Sequence, residues 1–361
     1  MHSVSILIPS YQERNFIRAC LESVLAFAVP DGVTIDILVL DGMSNDGTRD
    51  IVTEMSSQDP RIRLVDNPKR TQAAALNIGI QLAEGDYLLR LDAHSVYPAN
   101  YLALTLDTAL RTRCDNAGGV ATTLRRGDHY QAALIQALIT HRFGVGNSGF
   151  RTSAAEGPAD TVPYGCFRKE IFDKVGLFDE RLVRAQDYEM NRRIVAAGGT
   201  VWCNPHIEVR YYPQPDFRSF IRKQVAYEAP YNAYMWYLAP YSFAPRHAIT
   251  AVFALGVIGG LVLSQFFATV RFVFLAVMAV YALLAIVAGV QQAIRYREPR
   301  HVVFAPIGFF LYHFLHGLGV LWGLILLLFG KAPVQQRPEP WAGANRFRAW
   351  PPMRAPNATP A

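Results

Sequence analysis

The feature that most constrains this chain is its apolar second half. Between Ala248 and Ile294 the only charged residue is Arg271. A further stretch, Val302–Gly330, carries no charge and is broken only by His313 and His316. A helix needs roughly 20 apolar residues to cross a bilayer. The first stretch therefore holds two spans with a turn near Ser264–Arg271, and the second either crosses as a third or lies as a re-entrant or interfacial helix. Three such stretches in succession argue against a buried soluble helix pair. Spanning helices satisfy their backbone groups internally, so this region is helical wherever it meets lipid.

Residues 1–225 read as a different material. Ser5–Pro9 is a short buried strand, followed by a helical pattern over Asn15–Phe27. Strands follow at Thr34–Leu40, Ile62–Val65 and Tyr87–Leu91, with helices opening at Gly47-Thr48 and over Gln72–Ala83. Alternating strands and helices imply right-handed crossovers and a mostly parallel, Rossmann-like α/β sheet. Residues 95–165 are less periodic and read as strands and loops on the acceptor side. Short helices are expected at Lys169–Val175 and Ala185–Ala197.

The organisation expected is a domain over 1–225, an aromatic interfacial segment over 226–247, a membrane region of about three helices over 248–330, and a disordered tail over 331–361. Arg218, Arg222 and Lys223 followed by Tyr227, Tyr231, Tyr234, Trp236, Tyr237 and Tyr241 suit the headgroup level. Met1-His2-Ser3 leads directly into the first strand with no signal peptide, which keeps the domain in the cytosol. Cys20, Cys114, Cys166 and Cys203 form no C-x-x-C pair and read as reduced, buried thiols. The net charge of +6 is dispersed, which suits an anionic membrane face and excludes a nucleic-acid partner.

In parallel sheets ligands sit at the carboxyl ends of strands. Asp41 and Asp92 fall there. Asp41 heads a turn containing Ser44, Asp46 and Thr48 that can hold a base or ribose; Thr48 reads as the cap of the next helix. Asp92 and His94, two apart on an extended segment, project to one side and can share a divalent ion bridging a diphosphate. Asp187, at the start of a helical pattern, is the candidate general base. Glu189, Arg192 and Arg193 are either a salt-bridged helix surface or part of the pocket.

Taken together, Ser5-Ile6-Leu7-Ile8-Pro9-Ser10-Tyr11-Gln12-Glu13, Asp41 through Thr48, Ala74–Ile80, Gly85-Asp86-Tyr87 and Leu91-Asp92-Ala93-His94 resemble the family 2 glycosyltransferases of GT-A fold. Phe143–Asn147 and Gln186–Arg193, followed by spans, are similar to the succinoglycan-type membrane glucosyltransferases of bacterial exopolysaccharide synthesis. The resemblance implies that Pro9, Tyr11 and Glu13 contact the base and ribose, that Asp41 holds the uracil edge with Ser44 nearby, and that Arg70 approaches the diphosphate. It puts Asp92 and His94 in place of a D-x-D motif for Mg²⁺ or Mn²⁺, with Asp187 as base. His94 and Gln186 stand where the family usually has acids. The implied enzyme is a multi-pass protein of the bacterial inner membrane that moves a hexose, glucose by this resemblance, from a UDP-sugar to a polyprenyl-linked acceptor. Transfer to polyprenyl phosphate itself is the alternative. A processive synthase is disfavoured because Arg222–Tyr227 lacks a Q-x-x-R-W motif. A catalytically silent membrane partner is disfavoured because Asp92 and Asp187 are both present.

Overall fold

The computed structural model describes residues 1–152 and 155–332. The expected disordered tail, apart from Lys331 and Ala332, lies outside the described residues.

The first half alternates as expected: β1 (His2–Ser10), α1 (Ile17–Leu25), β2 (Val33–Asp41), α2 (Thr48–Gln58), β3 (Ile62–Asp66), α3 (Gln72–Leu82) and β4 (Tyr87–Arg90). These strands pair in parallel, with Ser10 beside Asp41 and Asp41 beside Asp66. Three chain exits thus lie side by side on one carboxyl edge. α1 packs through Ile17, Cys20, Leu21 and Val24, the stripe that a 3.6-residue period places on one face.

The next segment corrects the sequence expectation. Within 95–165 lie α4 (Tyr101–Thr112), β5 (Asn116–Thr123), α5 (Tyr130–Ile139), the single turns α6 (Arg142–Val145) and α7 (Gly149–Thr152), and β6 (Gly157–Pro158). Two physical effects hid the helices. The core stripe of α4 contains Thr105 and Thr108, whose hydroxyls are satisfied by Tyr101 O and Leu104 O of their own helix. α5 is buried on every side from Ala132 to Ile139, so it has no polar face to set a period.

The chain then forms β7 (Cys166–Arg168), α8 (Ile171–Val175), α9 (Gln186–Ala196) and β8 (Val201–Tyr211). The sheet order is β3-β2-β1-β4-β7-β5-β8-β6, with β7 and β6 antiparallel to their neighbours. β8 contains Pro205 where its register with β5 shifts, between Gly118 and Val120, so the proline falls at an irregularity of the ladder. All four cysteines are buried and free, as expected.

α10 (Phe217–Arg222), a π-helical turn (Lys223–Glu228) and α11 (Ala229–Leu238) form a platform under the domain. The aromatic segment is divided in use. Tyr231 and Tyr234 are buried in a cluster with Leu182, Tyr188 and Met235, whereas Tyr237 and Tyr241 are exposed. Three long apolar helices follow: α12 (Pro245–Leu263), α13 (Ala268–Tyr296) and α14 (His301–Leu328), each long and apolar enough to cross a membrane. α12 and α13 form a hairpin whose turn falls where the sequence placed it. α14 runs along the platform: Gly319 meets Val225 O of the π-helical turn, and Gly317 meets Thr250 O of α12 so closely that no Cβ fits.

Candidate active site

The carboxyl edge of β1 and β2 is built from two loops zipped by side chains. Three successive backbone N–H groups of the first loop are taken up by the second. Gln12 N–H donates to Ser44 Oγ (2.9 Å), Glu13 N–H to Thr48 Oγ1 (2.9 Å) and Arg14 N–H to Asp46 Oδ2 (3.1 Å). Asp46 also accepts from Thr48 N–H (3.0 Å) at the start of α2, whose N-cap is Gly47, and the Thr48 hydroxyl staples the loops where a helix cap was expected. Asp41 is fully buried. Its carboxylate accepts from Ser10 Oγ (3.1 Å), Ser44 Oγ (2.6 Å), Ser44 N–H (2.8 Å) and Arg49 (3.1 Å). Asp41 and Ser44 therefore hold the loop in shape, and a direct bond from Asp41 to a base would have to displace one of these donors. Pro9 and Tyr11 are half-buried at the same edge, with the Tyr11 ring against Gly42.

β4 ends at Arg90, and its exit turns rather than continuing extended: Ser95 N–H bonds Asp92 O (3.3 Å). Asp92 and His94 consequently take different partners. Asp92 Oδ1 accepts from Arg90 (2.7 Å) and from Gln72 Nε2 (3.2 Å). Its backbone N–H donates to Tyr97 Oη (2.7 Å). Arg90 is buried, sits over the Tyr164 ring at 5.1 Å, and feels both Asp92 and Asp187 as nearby negative charges. Gln72 Oε1 accepts from Gln186 Nε2, so one amide relay runs from Asp92 through the start of α3 to the residue preceding Asp187. Asp187 is half-buried in the first turn of α9, where an acidic residue complements the helix dipole; Oδ1 accepts from Tyr188 N–H (2.8 Å). The fold thus brings Asp92 and Asp187 to one site around Arg90. Sequence reasoning missed Arg90 and Gln72. An arginine ending an apolar strand was a readable signal, since a buried guanidinium requires a partner; Gln72 gave none.

His94 is exposed, and its Nδ1 lies 3.1 Å from Glu13 Oε1, an ion pair that raises the imidazole pKa above its ordinary value. Arg70 is exposed in left-handed backbone (φ 57°) just before Thr71, the cap of α3, so it stands at the same edge. Among the described residues no cluster of three or more His, Cys, Asp or Glu side chains is placed to hold a metal. The donors present are one carboxylate and one imidazole. That set fits a cation which takes its remaining ligands from a diphosphate and water.

α9 is anchored by its other acidic residue. Glu189 pairs with Arg193 (2.6 Å), which also donates to Leu177 O (2.6 Å), and Tyr241 Oη donates to Glu189. These side chains tie the helix down and do not line the site. A cavity of about 490 Å³ opens between α9 and the start of α12, lined by Asn147, Asp160, Thr161, Arg192, Pro245 and Arg246.

Residues 5–176 match the family model "Glycosyl transferase family 2". The chain is 33% identical over 211 residues to succinoglycan biosynthesis protein ExoA of Rhizobium meliloti, covering 58% of this chain and 63% of that one, somewhat under two thirds of the relative's length. It is 27% identical over 338 residues to a dolichyl N-acetyl-alpha-D-glucosaminyl phosphate 3-beta-D-2,3-diacetamido-2,3-dideoxy-beta-D-glucuronosyltransferase of Methanococcus voltae, covering 90% and 98%. Among solved structures, mannosyltransferase PcManGT from Pyrobaculum calidifontis, in complex with GDP-Man and Mn²⁺, superposes with a TM-score of 0.55 at 18% identity, over 88% of this chain and 87% of that one. At that identity the likeness speaks to the fold. The fold is that of the GT-A glycosyltransferases, and residues 5–176 are similar to glycosyl transferase family 2.

Proposed function

We propose that the protein is an inverting glycosyltransferase that moves a hexose, glucose by the sequence resemblance, from a UDP-sugar to a lipid-linked saccharide at the membrane surface. The observation that carries this reading is the meeting of Asp187 with the Arg90–Asp92 pair at the carboxyl edge, on a domain seated on apolar helices. Asp187 takes the proton of the acceptor hydroxyl as its oxygen attacks the anomeric carbon. The bond to the nucleoside diphosphate breaks on the opposite face, and the configuration inverts. Arg90, buried and paired, holds Asp92 toward the diphosphate; Gln72 and Gln186 fix the distance between that group and the base. Pro9, Tyr11, Glu13 and Arg70 border the nucleotide, with Asp41 and Ser44 shaping the loop beneath it. Asp92 and His94 would hold a divalent cation, Mg²⁺ or Mn²⁺, which when bound neutralises charge on the leaving diphosphate.

The cavity between α9 and α12 faces the helices that meet lipid, and it suits the acceptor. A lipid-linked saccharide acceptor is further supported by the Methanococcus relative, whose name specifies a dolichyl-phosphate-linked sugar and which aligns over nearly its full length. Residence in a bacterial inner membrane with the catalytic domain in the cytosol is part of the same reading, supported by the three long apolar helices. The test is a panel of labelled nucleotide sugars offered to membranes containing the protein, with analysis of the lipid product. Label from UDP-glucose in a lipid-linked oligosaccharide is expected. Label confined to a mono-sugar lipid would overturn the saccharide acceptor.

A further inference from the structure

By length and composition alone, α14 is as good a spanning helix as α12 or α13. Its contacts say otherwise. The helix has 28 residues and is about 42 Å long. In its first turns His301 Nδ1 lies 3.3 Å from Tyr130 Oη, and the Phe304 ring packs on Tyr130, at the start of α5. Further along, Gly308 rests on Leu138 and Tyr312 packs on Phe220 of α10. Gly319 then meets Val225, and Gly323 meets Pro230. At the far end Leu327 and Ala332 pack with Leu182, Tyr188 and Tyr234, next to the segment that carries Asp187. Both ends and the middle touch the same domain or the platform attached to it. A helix that crosses a bilayer can touch a domain on one side only at the end that emerges there.

The opposite face of α14 is crossed by the hairpin. His316 Nδ1 bonds Thr250 Oγ1 of α12 (2.9 Å), His313 Nδ1 bonds Tyr281 Oη of α13 (2.9 Å), and Pro306 lies against Gly289. The two histidines that interrupt the apolar stretch therefore face protein. Buried residues of the hairpin are confined to Ala251, Ala254 and Val257 of α12 and to Ala285, Ala288, Gly289 and Gln292 of α13. From Ile258 through the turn at Phe266 and Phe267 to Val280 the side chains are mostly exposed, and apolar but for Ser264, Gln265, Thr269 and Arg271. The free part of α13, from Ala268 to Leu284, extends about 25 Å, close to the roughly 30 Å of a bilayer core. The surface of α14 left uncovered is apolar at both ends, with Val303 and Ile307 at one and Leu328 and Phe329 at the other, and Trp322 between. That composition is continuous with the lipid-facing hairpin, and tryptophan favours the headgroup level.

We infer that α14 does not cross the bilayer: it lies in the plane of the near leaflet between the catalytic domain and the α12–α13 hairpin, and the chain from Lys331 returns on the catalytic domain's side. The sequence agrees. Lys331, Arg337, Arg346, Arg348 and Arg354 stand against Glu339 alone, and such segments remain on the cytoplasmic side. The inference does not depend on which sugar or acceptor the enzyme uses.

The experiment is cysteine accessibility in sealed membranes. The four native thiols are buried, so a membrane-impermeant maleimide reports added cysteines. Arg297→Cys marks the turn between α13 and α14, Lys331→Cys the end of α14, and Glu84→Cys the exposed surface of the catalytic domain. The three are expected to label from the same side. Labelling of Lys331→Cys from the side opposite Arg297→Cys would overturn the in-plane placement and restore three spans.

Discussion

Arg90 changes how the acidic residues of the site should be tested. Asp92 neutralises a buried guanidinium, so Asp92→Ala removes one partner of a buried pair and should cost on the order of 3 kcal/mol of stability along with nucleotide affinity. Thermal melting of the purified variant, read beside nucleotide binding, separates the two effects; an unchanged melt would place Arg90 and Asp92 apart in solution. Asp187 has no such buried partner. Asp187→Asn should lower transfer by roughly 10²–10⁴ with donor affinity nearly intact, because the amide cannot take the proton. Wild-type turnover in that variant would remove Asp187 from the mechanism. His94 supplies a pH test. Glu13 raises its pKa, so the imidazole is protonated, and lost as a metal ligand, at a higher pH than an ordinary histidine. Metal-dependent nucleotide binding should therefore weaken as pH falls through that raised value, and Glu13→Gln should move the midpoint to lower pH. A midpoint unmoved by Glu13→Gln argues that His94 does not ligate. Asp92 and Asp187 were legible as positions, because one follows an apolar strand and the other opens a helical pattern; their chemical roles are proposals. Asp41 was legible as a position but not in its bonding, since nothing in the sequence shows that Ser10, Ser44 and Arg49 converge on it.

At the scale of elements, α3 joins the two sides of the site. Its first residue, Gln72, bridges Asp92 and Gln186; one and a half turns later Asn77 accepts from Phe178 N–H (2.9 Å) and donates to Phe178 O (3.0 Å). Asn77 is buried, so Asn77→Ala leaves backbone groups of the loop before α9 unpaired, at a cost of about 1–3 kcal/mol. On the proposed mechanism the catalytic rate should fall more than donor affinity, since the loop leads into α9, which carries Asp187, and not into the nucleotide contacts. A rate equal to wild type at full loading would show that the loop is held without Asn77. Elements with one buried face, such as α1, were readable from their period. α4 and α5 were not, because threonines that satisfy themselves in one and complete burial in the other erase the pattern. β8 escaped because a proline at a shifted register resembles the end of a strand.

At the scale of the whole molecule, the domain and its apolar helices meet through polar contacts as well as apolar ones. Gln292 of α13 donates to Ala137 O and Thr140 Oγ1, Arg295 donates to Thr140 O (3.2 Å), and His141 Nε2 lies 2.8 Å from Gln291 Oε1. A long apolar helix thus completes the carboxyl end of α5. Gln292→Ala should destabilise the docked arrangement by about 1–3 kcal/mol and speed proteolysis between Leu124 and His129, while nucleotide binding persists. Proteolysis at the wild-type rate would mean that the apolar contacts suffice. No sequence period announces such a junction, because each half satisfies its own pattern.

The seating of α14 has a consequence for motion. A domain attached through a single linker swings and tumbles above its anchor, and its active site samples every height and tilt. This domain is fixed at the start of α5, at the π-helical turn and beside Leu182, at points spread along one long helix. Its rigid-body freedom is reduced to drift in the plane and spin about the membrane normal. The catalytic edge keeps one face toward the bilayer, and polarised spectroscopy should find its tilt as narrowly distributed as that of the helices beneath it.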